Sequence, residues 1–149
     1  MKSMVRQATA KDLDQLSVLF DGYRVFYRTT SDLSAAKAFL AERIALEDSK
    51  IYVFEEEGQL SGFVQLYPLF SSTRMKKLWL LNDLYVDASQ RGKGVSLQLI
   101  DEAKKLAYDT NACGVMLETE ITNQIGNKLY PRAGFELNQS SNFYEWSVE

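Results

Sequence analysis

The chain has 149 residues, of which 46% are hydrophobic and 25% charged, proportions that fit one globular domain over residues 1–149 with a single core. A net charge of −3 gives no footing for nucleic-acid binding, which needs a basic face. With no His and one Cys, Cys113, the chain has no His triad, no His base and too few ligands for tetrahedral zinc, so no metal centre is expected.

Residues 4–9 alternate as a short strand, and Thr9 with Asp12 three residues on forms a capping-box pattern for a helix. Leu13, Leu16, Leu19, Phe20, Tyr23, Phe26 and Tyr27 then recur at spacings of three and four, the period of an amphipathic helix. A second helix starts at Ser31 or Asp32 and runs through Leu46. The stretch KIYVFEEEGQLSGFVQLYPLF (50–70) reads as two antiparallel strands turning at Gly58, with Pro68 marking a bend or a locally free edge. MKKLWLLNDLYVDA (75–88) is apolar on both faces and is therefore a central strand.

The segment SQRGKGVSLQLIDEAKKLA (89–107) is a basic glycine turn that opens directly into an amphipathic helix reaching about Tyr108. CGVMLETEI (113–121) reads as a buried strand, NQIGNKLYPRAGF (123–135) as a short helix stopped by Gly134, and NFYEWSVE (142–149) as a final alternating strand. The order of elements is that of a mixed α/β sheet with helices on both sides. The amino terminus lacks the apolar core of about 7–15 residues that a secretory signal has, and no run approaches the roughly 18 apolar residues of a membrane helix. Together with the single cysteine, these features lead to the expectation of a cytoplasmic protein.

The glycine turn carries the strongest chemical signal. A turn between a central strand and a helix aims unpaired backbone N–H groups at one point, where the helix dipole adds positive potential. Gly92 and Gly94 keep side-chain atoms out of an anion's way, and Arg91 and Lys93 add charge. The P-loop spacing is absent, and position 97 is Leu where the dinucleotide fingerprint needs its third Gly. What the stretch Arg91-Gly92-Lys93-Gly94-Val95-Ser96 resembles is the coenzyme A pyrophosphate loop, Arg-x-x-Gly-x-[Gly/Ala], of the GNAT N-acetyltransferase superfamily, with Ser96 in place of the final Gly or Ala. LNDLYVD stands before the loop as that family's fourth strand does, and NQIGNKLYPRAGF is similar to its last conserved segment.

The resemblance implies an acetyl-CoA-dependent N-acetyltransferase built on a largely antiparallel sheet of about seven strands, whose fourth and fifth strands splay apart. The acetyl group would pass to a primary amine (a small amine, polyamine, amino acid or lysine side chain) by direct attack. It implies that backbone groups of Leu84, Tyr85 and Val86 pair with pantetheine and that Arg91, Gly92, Lys93, Gly94, Val95 and Ser96 hold the pyrophosphate. Asn123 is implied as a pantetheine contact, with N-capping of its own helix as the competing role, and Asn127 is one turn further on. Tyr130 is implied as the group that hydrogen-bonds to and protonates the departing thiolate.

The base is open. Some family members place a Glu nine residues before the loop Arg, where this chain has Asn82. Asp83 faces away if the strand is regular, but a bulge would rotate it inward. Glu118 and Glu120, on one face of the next strand, and a water chain are the alternatives. Tyr23, Phe26, Tyr27, Asn82 and Glu120 are candidate contacts for a cationic acceptor, although aromatics at helical spacing also serve as core. Cys113, at the start of an apolar strand, is expected to be inert. A coenzyme A-binding sensor on the same scaffold is the competing function, and the carboxy-terminal strand is a candidate dimer element.

Overall fold

The computed structural model describes residues 2–149, which form two compact units, one up to Glu118 and one from Thr119 to Glu149.

The first unit begins with β1 (Ser3–Gln7), followed by a 3-10 turn at Ala10–Asp12 that leads into α1 (Leu13–Phe26). The capping box expected from Thr9 and Asp12 is present, with each side chain accepting a hydrogen bond from the other residue's side of the turn. Asp32 accepts from the Ala35 amide to cap α2 (Leu33–Leu46). Then come β2 (Lys50–Glu56), β3 (Gln59–Ser71), β4 (Lys76–Val86), α3 (Val95–Asp109) and β5 (Val115–Met116). Gly58 lies at φ 81° in the β2–β3 turn, a left-handed value that favours glycine.

The five strands lie in the order β1-β2-β3-β4-β5, antiparallel except for the parallel β4–β5 pair. Pro68 sits beyond the last β2–β3 pair, Lys50↔Leu66, so its missing N–H breaks no ladder bond on that side.

Alternation along β3 separates the two layers. Phe63 packs edge-on against Phe20 and Tyr23 of α1, whereas a side chain at Gly62 would meet Val95 and Leu99 of α3. Leu16, Leu19, Phe20, Ala36, Leu40, Ile51, Val53 and Phe63 form the core under α1 and α2. Each of the larger side chains among them, when fully buried, contributes about 1.5–3 kcal/mol. The opposite layer is built on the buried face of α3, with Val95, Leu99, Ile100, Ala103 and Leu106.

The second unit holds α4 (Gln124–Arg132), with Pro131 in its last turn and Gly134 just past it at φ 95°. Pro131 is tolerated there because the chain leaves the helix at once.

Three sequence expectations need correction. The described residues form five strands where about seven were expected. The strand expected over 113–121 is reduced to Val115–Met116, which shares two register pairs with β4, Trp79↔Val115 and Leu80↔Met116. Residues 142–149 form no strand, because the unit that contains them has α4 as its one regular element and offers no ladder partner. Glu118 and Glu120 therefore do not share a strand face; both lie past β5.

Candidate active site

After β4 the chain makes a 3-10 turn at Ala88–Gln90, pinned by the Asp87 side chain, which accepts from the backbone and hydroxyl of Ser89. Gly92 and Gly94 both adopt φ 80°. Gly94 is the N-cap of α3 and brings no side-chain cap, and the first turn contains no acidic residue. The leading amides of α3 therefore keep their positive potential for an external anion. Nothing lies within 4 Å of where a Cβ would stand on Gly92 or Gly94, which leaves the backbone open to a ligand. Val95 is buried against the sheet and can offer only its backbone N–H. Lys93 Nζ donates to Gln90 Oε1 at 3.1 Å. Arg91 is tied down: its Nε donates to the Val86 carbonyl at 2.8 Å and its guanidinium lies over the Tyr85 ring.

The ladder between β4 and β5 ends at Leu80↔Met116, upstream of Leu84, Tyr85 and Val86. Pairing to β5 thus stops before the segment of β4 expected to meet an extended ligand.

A bulge lies at the same place. Gln65 pairs with Asp83 and Leu66 with Leu81, so Asn82 is the extra residue on β4. In a regular strand Leu81 and Asp83 would share a face. The inserted residue reverses the alternation, so Asp83 sits with Gln65 on the α1/α2 side while Leu81 stays on the other. Asp83 is 2% exposed. Gln65 Nε2 donates to its Oδ2 at 2.6 Å and Asn82 Nδ2 to its Oδ1 at 2.7 Å. Burial pushes its carboxyl above the usual carboxylate range, opposed by hydrogen bonds from Gln65, Asn82 and Tyr23.

Tyr23 also reaches this point, donating its hydroxyl to the Asn82 carbonyl at 3.0 Å while its ring packs on Phe20 and Phe63. It is both core and site wall. Tyr27 packs edge-on against Tyr23 and Phe26, and Phe26 is turned half outward. Glu118 is exposed.

In the second unit, Asn123 caps α4 by accepting from the Gly126 amide at 3.2 Å and donates to Thr119 Oγ1 at 2.8 Å. A Cβ at Gly126 would come within 2.6 Å of Asn123 Nδ2, so the glycine is what allows the cap. Asn127 Nδ2 donates to the carbonyls of Glu120, Ile121 and Asn123, which ties the preceding loop to the helix. Tyr130 packs edge-on against Phe135, at 6.0 Å between centroids.

Residues 15–135 match the model of the acetyltransferase (GNAT) family. The chain belongs to this family. It is 42% identical over 132 residues, 89% of each chain, to a Bacillus subtilis (strain 168) protein named an uncharacterized N-acetyltransferase, YhfO. Among solved structures it matches a probable acetyltransferase at a TM-score of 0.92 and 36% identity over 98% of both chains. An aminoglycoside N-acetyltransferase, AAC(6')-Iy, solved in complex with CoA, shares the fold at a TM-score of 0.82 and 19% identity, covering 99% of this chain and 96% of that one. The protein is accordingly an N-acetyltransferase. No helix among the described residues is long and apolar enough to cross a membrane.

For a GNAT protein the open N-terminus of α3 has the right chemistry to receive a pyrophosphate, since it combines unpaired amides, positive dipole and two glycines. Sequence reasoning missed Gln65, which donates to Asp83, Ser49, which donates to Gln65, and Tyr67, which feels the charge of Asp83. The available signal was Gln65 itself, a polar residue in the apolar run FVQLY that is 0% exposed.

Proposed function

We propose that the chain transfers an acetyl group from acetyl-CoA to a primary amine by direct attack in a ternary complex, with Asp83 as the base. The observation that supports this most is the Asn82 bulge, which sets a buried carboxylate on the α1/α2 side of β4. The family model matches residues 15–135, which include residues of both units.

Acetyl-CoA, when bound, supplies a thioester whose carbonyl carbon is open to a nucleophile. The backbone of Gly92, Lys93, Gly94, Val95 and Ser96 would hold its pyrophosphate, with Lys93 adding charge. Leu84, Tyr85 and Val86 would pair with pantetheine along β4, an added strand in hydrogen-bonding terms. Arg91 acts mainly by fixing the end of β4 through Val86. Asn123 and Asn127 shape the approach to α4 and are open to a second role at the ligand.

A lysine-like amine is neutral at pH 7 in about one molecule in 2,500, a cost of ~4.6 kcal/mol. Asp83 offsets that by taking the ammonium proton, directly or through one water beside Tyr23 and Asn82. Its raised carboxyl range brings it nearer neutrality, where a general base works best. Tyr130 Oη, by the family match, holds the proton that the leaving sulfur needs. Tyr23, Tyr27 and Phe26 would line the acceptor's approach, and a cationic acceptor suits the acidic balance of the chain.

The test is thiol release from acetyl-CoA across a panel containing spermidine, lysine, other amino acids and a basic peptide, with wild type and Asp83→Asn. Turnover of at least one amine, falling about 10²- to 10⁴-fold in Asp83→Asn, is expected. Tight acetyl-CoA binding with no turnover on any amine would favour a coenzyme A sensor instead.

A further inference from the structure

Asp83 does not sit alone. The side-chain amide of Gln65 is held at both ends: Ser49 Oγ donates to its Oε1 at 2.8 Å, and its Nε2 donates to Asp83 Oδ2 at 2.6 Å. Gln65 is 0% exposed, and Ser49 is half-buried at the start of β2. An amide can present either its oxygen or its NH₂ to a neighbour. An ionised Asp83 can only accept and so takes the NH₂ end, while the Ser49 hydroxyl, which can turn to donate, completes the pair at the oxygen end.

We propose that Ser49 and Gln65 form a positioning relay that fixes one oxygen of Asp83 and holds its carboxylate ready to accept a proton. The proposal rests on the reading of Asp83 as the base. An NH₂ directed at a carboxylate stabilises its ionised form, whereas an amide oxygen turned toward it would stabilise the acid. The relay therefore opposes the effect of burial.

The other groups around Asp83 do not duplicate this function. Tyr23 approaches from α1 and Asn82 lies on β4 itself; both are neutral, and Asn82 serves the other oxygen of the carboxylate. Tyr67 on β3 is near enough to feel the charge of Asp83, its phenol pushed up to about 12 by burial and then by Asp83 and Asp48, with Arg43 opposing. Arg43, at the end of α2, is engaged by Asp48 at 3.0 Å and by Glu42. Asp83 thus has neutral partners only, and the orientation of the Gln65 amide is the setting that a single substitution can reverse.

The experiment measures Asp83 directly and catalysis separately. The full chain is labelled with ¹³C-aspartate, the Asp83 carboxyl is titrated by NMR, and the pH profile of kcat/KM is recorded with saturating acetyl-CoA and the best amine of the panel. Gln65→Leu should raise the Asp83 titration by about one to two pH units, the loss of one hydrogen bond to a charge. Ser49→Ala should shift it the same way by about half to one unit, and Ser49→Thr, which keeps the hydroxyl, should return it to wild type. The acid limb of kcat/KM should move in parallel. Should Gln65→Leu fold poorly, the Ser49 pair carries the test.

An unmoved Asp83 titration in Ser49→Ala would overturn the relay, and an acid limb abolished by Asp83→Asn would then leave the base assignment standing. A titration that moves while the acid limb stays fixed would overturn both the base assignment and the relay's part in catalysis.

Discussion

Gly94 offers a quantitative test of the loop because a second glycine serves as its control. Gly94 sits at φ 80° and Gly58 at φ 81°, and at neither does any atom lie within 4 Å of an added Cβ. Gly94→Ala and Gly58→Ala should therefore carry the same backbone strain, about 1–2 kcal/mol, with no clash to add. For a chain of this size that is a fall in Tm of roughly 2–8 °C in both. Only Gly94 caps α3. There, on the proposed loop assignment, the methyl would stand where phosphate oxygens approach, and relaxation of φ would turn the leading amides away. Losing one charge-assisted hydrogen bond of about 1.5–3 kcal/mol lowers coenzyme A affinity about 10- to 150-fold. Calorimetric titration with coenzyme A, beside thermal melts, separates the two effects. Wild-type affinity in Gly94→Ala would refute the loop assignment. Equal loss in both variants would mean that strain, not the site, governs binding.

Tyr130→Phe should lower kcat by about 10²-fold or more while leaving acetyl-CoA affinity within a few-fold, measured by steady-state kinetics and calorimetry; unchanged kcat would remove Tyr130 from the mechanism. Cys113→Ala should keep wild-type turnover, and loss of turnover with retained acetyl-CoA binding would replace direct attack with an acyl-enzyme route. Asp12→Asn should cost about 2 kcal/mol at pH 7, a Tm drop of roughly 4–8 °C, because Arg6 donates to both Asp12 oxygens, at 2.7 and 2.8 Å. Hydrogen bonding from Arg6 holds the Asp12 carboxyl below its usual range. The contribution is therefore present above pH ~4 and lost as pH falls through the lowered value, so the Tm gap between wild type and variant should close in acid.

The parts of this structure legible in the sequence are those written as repeated pattern. Leu16, Leu19, Phe20 and Tyr23 announce α1 by spacing, Thr9 and Asp12 its start, and Gly58 the β2–β3 turn. The loop was legible because Gly92 and Gly94 need left-handed backbone and leave few alternatives. The bulge was not, because one extra residue leaves no trace in composition. Counting back from Arg91 reaches Asn82, and simple alternation sends Asp83 to the wrong face; the β3–β4 register reverses this. The carboxy-terminal alternation of Tyr144, Trp146 and Val148 shows the opposite failure. A period of two is a local property, whereas a strand exists only with a partner, and the sequence does not name one.

The unguarded start of α3 also has a thermodynamic side. Most helices close their first turn with a side chain of their own, as Asp32 does for α2 and Asn123 for α4. α3 has no such side chain, so on the proposed loop assignment its ligand would become a structural part that is present or absent with concentration. Stabilisation then follows mass action: ligand at a hundred times its Kd adds about 2.7 kcal/mol. Part of that gain should be local, as slower hydrogen exchange at the first amides of α3. The chain's resistance to unfolding would in this way report the coenzyme supply around it.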